Sequence, residues 1–473
     1  MPDDKGDTAE SEERSTRNDR TAQLGTASIG RLLLRFSVPA IVGMLVQSLY
    51  NVVDRIFIGN GVGPLGLAGA TVSFPFMLVF MAFGMLVGIG GGSLLSISLG
   101  EGKKDFAESV LNNAFVLIIL LSAVLTVVGL VFLDPLLRFA GASDATLPYA
   151  RSYMRIILYG VVLNSIGFGM NNFIRGEGNP KMAMGTMLIG AVLNTILDPI
   201  FIFVLDMGIA GAAWATIISQ GVSAVWVLRY FLGGKSHLVL DASKMKLRLD
   251  VVLRIFAIGS APFSMQLAAS ALNTILNNRL QTYGGDMAIS AMGIIYSVAM
   301  LILMPIFGLN QGAQPIIGYN YGARQYRRVV RASELAILGA TTMVIAGWLV
   351  TRLFPQAIIS VFSRGNAELL DIGTRAMRIF FSMFPFVGFQ IVGANYFQAV
   401  GKPRQAMFLS LSRQVLLLIP LLFILPLFFG LDGVYGATPT SDVLSSVLTG
   451  TFFFIELRSL RHIPDQTSAG TRT

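Results

Sequence analysis

Apolar residues recur in runs of about twenty from residue 34 almost to the end of the chain, with polar positions gathered into short gaps between the runs. A run of that length crosses a bilayer as a helix, whereas a barrel strand would need only about ten alternating residues. Twelve helical spans are predicted, at about 34–57, 68–97, 110–133, 154–174, 182–205, 209–231, 253–277, 287–317, 332–353, 377–398, 405–428 and 433–456. An even number puts both ends of the chain on one side. The longest polar connection, Gly233 to Asp250, divides six spans from six. The fold class expected is therefore an all-α polytopic membrane protein in two six-helix halves.

Composition agrees with the pattern. Of 473 residues, 54% are hydrophobic and 13% are charged, and the mean hydropathy is +0.68. Soluble domains carry about 25% charged residues. Residues 1–30 are polar and lack the apolar core of a signal peptide, so they are expected to form a disordered cytoplasmic tail. The remaining boundaries expected are a first lobe at 31–232, a linker at 233–252, a second lobe at 253–458 and a second cytoplasmic tail at 459–473. Connections on the side of the termini hold sixteen Lys and Arg, and the opposite connections, Arg364 among them, hold eight. That asymmetry puts both termini in the cytoplasm of a multi-pass protein of the plasma membrane, the inner membrane of a prokaryote. It also accounts for the net charge of +9 without a nucleic-acid partner. With no cysteine, and with His237 and His462 both in polar flanks, thiolate metal sites and an intramembrane histidine relay are excluded.

The two halves repeat. Asn172-Phe-Ile-Arg-Gly-Glu-Gly178-Asn-Pro180 recurs 223 residues later as Asn395-Tyr-Phe-Gln-Ala-Val-Gly401-Lys-Pro403, and Pro39 meets Pro262 at the same offset. Gly90 and Gly100 meet Gly312 and Gly322 at 222, and Gly208 and Gly211 meet Gly433 and Gly436 at 225. Six spans per copy place both copies in one orientation, related by an axis along the membrane normal, with a cavity between them.

Polar residues inside the spans carry the chemistry. Asp198 lies in a run free of other charges from Lys181 to Asp206, with Asn194 one turn before it. A carboxylate there costs a few kcal/mol and is tolerated where it faces a bundle interior or a wet cavity. Gln47, Asn51 and Asp54 stack on one face of the first span, and Thr216 on the sixth comes to the depth of both carboxylates. Tyr153, Asn164 and Asn171 form a polar face on the fourth. Two carboxylates with an amide and a hydroxyl suit proton exchange, because a like-charged neighbour favours a shared proton. They equally suit Na⁺, whose ligands are hard oxygens. The alternative for Asp54 is an interfacial pair with Arg55.

In the second half Asn277 and Leu421 stand where the repeat would put Asp54 and Asp198, leaving a neutral stripe of Gln266, Ser270, Asn273 and Asn277. Coupling is therefore expected in the first lobe. Arg413 is the one clear charge inside the second, in contact either with a ligand or with a neighbouring helix. Pro39, in the helix of Asp54, is a candidate bending point. Substrate-cavity candidates are Gln47, Asn51, Asn164, Asn171, Gln266, Asn273, Asn277 and Arg413, with Met and Phe supplying a plastic apolar wall. No phosphate-binding loop, nucleophile elbow or His-Glu-x-x-His occurs, so neither an ATP-driven pump nor an enzyme is expected.

Asn51-Val-Val-Asp-Arg-Ile-Phe-Ile-Gly59, Asn310-Gln-Gly-Ala-Gln-Pro-Ile-Ile-Gly-Tyr-Asn-Tyr-Gly322, Asn194-x3-Asp198-Pro and the two Gly-x-Pro loops resemble the multidrug and toxic compound extrusion (MATE) family. The likeness is to its DinF-like branch, near MepA-type drug exporters, and covers residues about 30 to 458. It implies two six-helix lobes in a V and export of cationic or amphipathic compounds against H⁺ or Na⁺ entry, with no cofactor. The matching cation positions are Asp54, Asn194, Asp198 and Thr216, with Tyr153 nearby, and the bending proline matches Pro39. Other branches couple through acidic residues of the second lobe, which are expected to be missing here. The function expected is a secondary antiporter working as a monomer on small lipophilic or cationic molecules in the bilayer. A flippase for a lipid-linked precursor is the alternative.

Overall fold

The computed structural model describes residues 21–363 and 366–461. The expectations for residues 1–20, for Arg364, for His462 and for the rest of the second tail fall outside them. Among the described residues there is no strand, and nine helices are long and apolar enough to cross a membrane. A pair bent by 52° at its break, Ala367–Phe380 and Pro385–Ala399, makes a tenth when taken as one span.

Two of these helices are double. Leu249–Gly322 runs for 74 residues, which as one rod would be far longer than a bilayer is thick. It breaks at Gly285, whose φ of 61° and ψ of −160° are open to glycine. Gly259 and Gly322, about 60 residues apart, both pack against the last turns of the same helix, at Leu86 and Ile97, so the chain has folded back. Ile419–Arg461 breaks in the same way at Gly430.

Counted this way the spans number twelve. The first six are Ile29–Gly61, Pro64–Gly100, Lys104–Val131, Leu147–Gly176, Pro180–Pro199 with a π turn at Ile200–Val204, and Gly208–Leu232. The seventh and eighth are the halves of Leu249–Gly322, the ninth is Tyr326–Leu353, and the tenth is the bent pair. The eleventh begins at Pro403–Leu411, passes through a π turn at Ser412–Leu418 and continues to the break at Gly430, after which the twelfth runs to Arg461. Short helices at Leu133–Phe139 and Pro355–Ser363, which hydropathy reads as loop, occupy equivalent places in the repeat. The fourth and tenth spans begin earlier than the hydropathy does, because a helix can start in the headgroup region before its apolar stretch begins.

The hydrophobic interior follows the halves. One cluster gathers Ala261, Leu280, Ile316, Tyr396, Tyr435 and other residues of spans seven to twelve. Two smaller clusters, around Leu111 and Phe173 and around Leu158 and Ala212, fill spans two to six, and the start of the seventh span, Val251 to Ile258, joins the former. The start of the first span, Ile29 to Phe36, joins the second-half cluster.

Where the halves meet, backbone lies against backbone. A Cβ on Gly308 would lie 2.6 Å from Ile41 Cα, and one on Gly312 would lie 2.7 Å from Ser37 Cα. The repeat maps this contact of the eighth span with the first onto that of the second span with the seventh, where Gly90 and Gly259 meet. Side-chain bonds add to the seam: Gln314 Nε2 donates to Ser93 Oγ at 2.5 Å, and Arg175 Nη1 to Gln311 Oε1 at 2.6 Å. All of these positions lie in the half of each span nearer the termini, so the lobes are closed there.

The connection between the lobes packs on the first lobe. Asn112 and Asn113 of the third span bind the backbone of Val239, Asp241 and Arg248. Lys244 Nζ donates to Glu108 Oε2 at 2.5 Å. Glu177, just past the fourth span and 1% exposed, accepts from Tyr230 Oη at 2.8 Å and from Ser236 Oγ.

Candidate functional site

The fifth span bends the local geometry around its carboxylate. Pro199 has no N–H to give the preceding turn, and the helix opens into the π turn Ile200–Val204 immediately after Asp198. Asp198 is 0% exposed. Asn194, one turn earlier and also buried, donates its Nδ2 to Asp198 Oδ1 at 3.1 Å and to Thr216 Oγ1 at 3.4 Å. Thr216 in turn gives its hydroxyl proton to Ala212 O at 2.9 Å, which leaves its lone pairs turned towards the amide.

The first span brings Asp54 to this set. Its carboxyl lies close enough to Asp198 for each to feel the other's charge. Arg55 points elsewhere, its guanidinium 5.5 Å from the centre of the Phe74 ring, and forms no ion pair with Asp54 among the described residues. The interfacial-pair alternative for Asp54 is thus not what the geometry shows. Tyr153 of the fourth span is buried and lies in the field of both aspartates.

Tyr50, one turn before Asp54, belongs to the same group and is close enough to feel both carboxylates. Sequence reasoning passed over it, although Gln47-x2-Tyr50-x3-Asp54 has the spacing of one helical face.

Three buried oxygens at this place accept no hydrogen bond: Asp54 Oδ1, Asp198 Oδ2 and Asn194 Oδ1. An unsatisfied acceptor in a dry interior costs about 1–3 kcal/mol, and a proton or a small cation among them would relieve that cost. All of the donors are oxygens.

The other candidates stay apart. Pro39 lies inside the first helix, nearer the termini than Asp54. Asn51 and Asn273 are exposed and bond their own helices, to Gln47 O and Ala269 O. Asn277 is exposed, Gln266 and Asn164 are half-buried, and Asn171 is 4% exposed with its Oδ1 unpaired.

Arg413 requires a correction. It is tied to Asp442 of the twelfth span, Nε to Oδ1 at 2.7 Å, and Asp442 is 2% exposed. Its role is therefore a helix-to-helix ion pair inside the second lobe, and it is not a lone cation facing a ligand. The expectation that the second lobe has no buried acid fails at the same residue. Asp442 stands in the last apolar run and was legible there as a charge. Ser441, beside it and near the repeat position of Thr216, donates to Arg413 O at 2.6 Å. As at Asp198, the charge sits beside a π turn, Ser412–Leu418.

Comparison with known proteins follows the same lines. The MatE family model matches residues 39–200 and 262–424, one stretch in each half. Multidrug export protein MepA of Staphylococcus haemolyticus is 28% identical over 92% of this chain and 95% of that protein, and MepA of Staphylococcus aureus strain MRSA252 is 27% identical over 88% and 92%. The structure of the MATE multidrug transporter DinF-BH in complex with R6G is 41% identical, with a TM-score of 0.86 over 93% of this chain and 98% of that one. A multidrug resistance MATE transporter of the MOP superfamily in its outward-facing conformation is 25% identical, with a TM-score of 0.88 over 93% and 98%.

Proposed function

The chain belongs to the MatE family, and from that premise we propose that it is a secondary antiporter, exporting cationic or amphipathic compounds in exchange for H⁺ or Na⁺ taken up at Asp54 and Asp198. It is a multi-pass membrane transporter of the multidrug-efflux type, and no cofactor enters the scheme. The observation that supports the coupling is the first-lobe cluster: two neighbouring carboxyls, and three buried oxygens with no hydrogen-bond donor.

A proton arriving from the side opposite the termini bridges Asp54 and Asp198, and Asn194 and Thr216 orient the Asp198 carboxyl. If the ion is Na⁺, Asp54, Asp198, Asn194 and Thr216 would be its ligands. Protonation or ion binding removes repulsion between the first and fifth spans, and the first span bends at Pro39. Binding on that side favours substrate release there, and the lobes then rock to release the ion on the other side. The lobes run from 31–232 and 253–458, joined by 233–252, with both termini in the cytoplasm. On that orientation the closed seam is cytoplasmic and the conformation faces outward, like the relative solved in that state.

The flippase alternative would need several basic residues facing the cavity to meet a pyrophosphate, and Arg413, the one candidate, is held by Asp442. The test is efflux of R6G from proteoliposomes with a pH gradient and a Na⁺ gradient imposed separately. Asp198→Asn and Asp54→Asn should each abolish the response to whichever gradient drives the wild type, while the protein still inserts and folds. Full transport by either variant overturns the assignment.

A further inference from the structure

The ninth span opens at Tyr326 and the twelfth closes at Arg461, both at the termini face, and a cavity of about 310 Å³ lies between these ends. Arg327, Arg331, Arg461 and Glu334 line it. Val330 and Leu460, 8% and 4% exposed, form an apolar floor. Arg331 and Arg461 come from different spans and converge on the same carboxylate: Arg461 Nη2 lies 2.9 Å from Glu334 Oε1, and Arg331 Nη1 lies 3.8 Å from Oε2. Both arginine side chains remain more than half exposed.

Charge excess on this face needs no pocket, and the neighbouring Arg328 is spent on structure, donating to Leu24 O and Ala27 O. The convergence of two guanidinium groups over an apolar floor is a different matter. A phosphate offers oxygens that such forks bind bidentately, and the site lies at the span ends, the level of lipid headgroups. Two turns deeper on the same helix faces, Leu338 and Phe454 are 63% and 66% exposed, as side chains in contact with acyl chains are. We propose that this cavity binds the phosphate of an anionic lipid headgroup between Arg331 and Arg461, in place of Glu334, with the acyl chains running down past Leu338 and Phe454. Free inorganic phosphate would gain nothing from the apolar floor or from the exposed strip below it.

The test is native mass spectrometry of the full chain in nonionic detergent, with cardiolipin, phosphatidylglycerol or phosphatidylcholine added at equal ratio. The wild type should retain the two anionic lipids over phosphatidylcholine, and millimolar inorganic phosphate should not displace them. The double variant R331Q/R461Q should lower retention of the anionic lipids by about thirty-fold, while Glu334→Gln, which removes the competing carboxylate, should raise it. Melting in phosphatidylcholine nanodiscs checks that the variants fold. Equal retention of anionic lipid by wild type and double variant overturns the proposal, and so does displacement by inorganic phosphate. If the double variant does not fold, no rise with Glu334→Gln overturns it as well.

Discussion

The seam that closes the termini side predicts its own failure when two methyl groups are added. Gly308 and Gly312 are one turn apart on the eighth span, and each lies against the backbone of the first, at Ile41 and Ser37. An alanine Cβ would stand 2.6 to 2.7 Å from Cα and N atoms that cannot rotate away. Carbon contacts begin near 3.5 Å, so in G308A/G312A the two helices must part by about 0.8 Å along the seam. Overpacking of this kind costs about 1–3 kcal/mol, and only the closed state bears the cost. Taking about 2 kcal/mol, the ratio of closed to open termini face falls about thirty-fold. Because the chain has no cysteine, spin labels at K181C and R404C, exposed positions in the first turns of the fifth and eleventh spans and so in opposite lobes, report the separation without background. Double electron–electron resonance should show a longer distance gaining population in the glycine variant. Gly293→Ala, with open space where its Cβ would go, should change nothing. A distance distribution equal to the wild type's in G308A/G312A refutes the claim that backbone contact holds this face shut.

Other consequences follow from the same coordinates. Thr216→Val keeps the shape and removes the hydroxyl beside Asn194. It should weaken Na⁺-driven R6G efflux about tenfold if the ion is Na⁺ and leave pH-driven efflux nearly intact if it is H⁺, as read by separate gradients in proteoliposomes. In the second lobe, Asp442→Asn or Arg413→Met alone should cost about 3–5 kcal/mol, whereas R413M/D442L together should melt near the wild type, because only the single changes strand a buried charge. Burial raises Glu177 from its ordinary 4.5 to about 7, against the pull of the Ser236 and Tyr230 hydroxyls. The folded state thus holds a proton that the unfolded state has lost, so this contribution is full below about pH 4.5 and gone above about pH 7, a change of about 3 kcal/mol. The protection of the amides of residues 236–248 from hydrogen exchange, taken relative to their intrinsic rate at each pH, should fall between pH 5.5 and 8 in the wild type and stay level in Glu177→Gln.

What the sequence disclosed and what it withheld divide along physical lines. Hydropathy found the spans because a bilayer demands about twenty apolar residues from each, whatever its neighbours. It missed the helices at Leu133–Phe139 and Pro355–Ser363, which rest outside that constraint. Asp198, Asn194 and Thr216 were legible because a polar group in a charge-free run has few acceptable surroundings, and the fifth and sixth spans are neighbours in the chain. Asp54 required the further inference of equal depth, which the first span's length supplies. Asp442 obeyed the same rule and was still overlooked, because the repeat directed attention to Leu421, where the first lobe's carboxylate would be copied. The second lobe instead carries its buried charge pair on the eleventh and twelfth spans. Repeats conserve the packing of a fold, as Gly100 and Gly322 do at the seam, because a wrong Cβ there costs stability in either copy. They do not conserve chemistry: where the first lobe leaves carboxylate oxygens unpaired, the second closes its polar positions on each other, as Arg413 and Asp442 do.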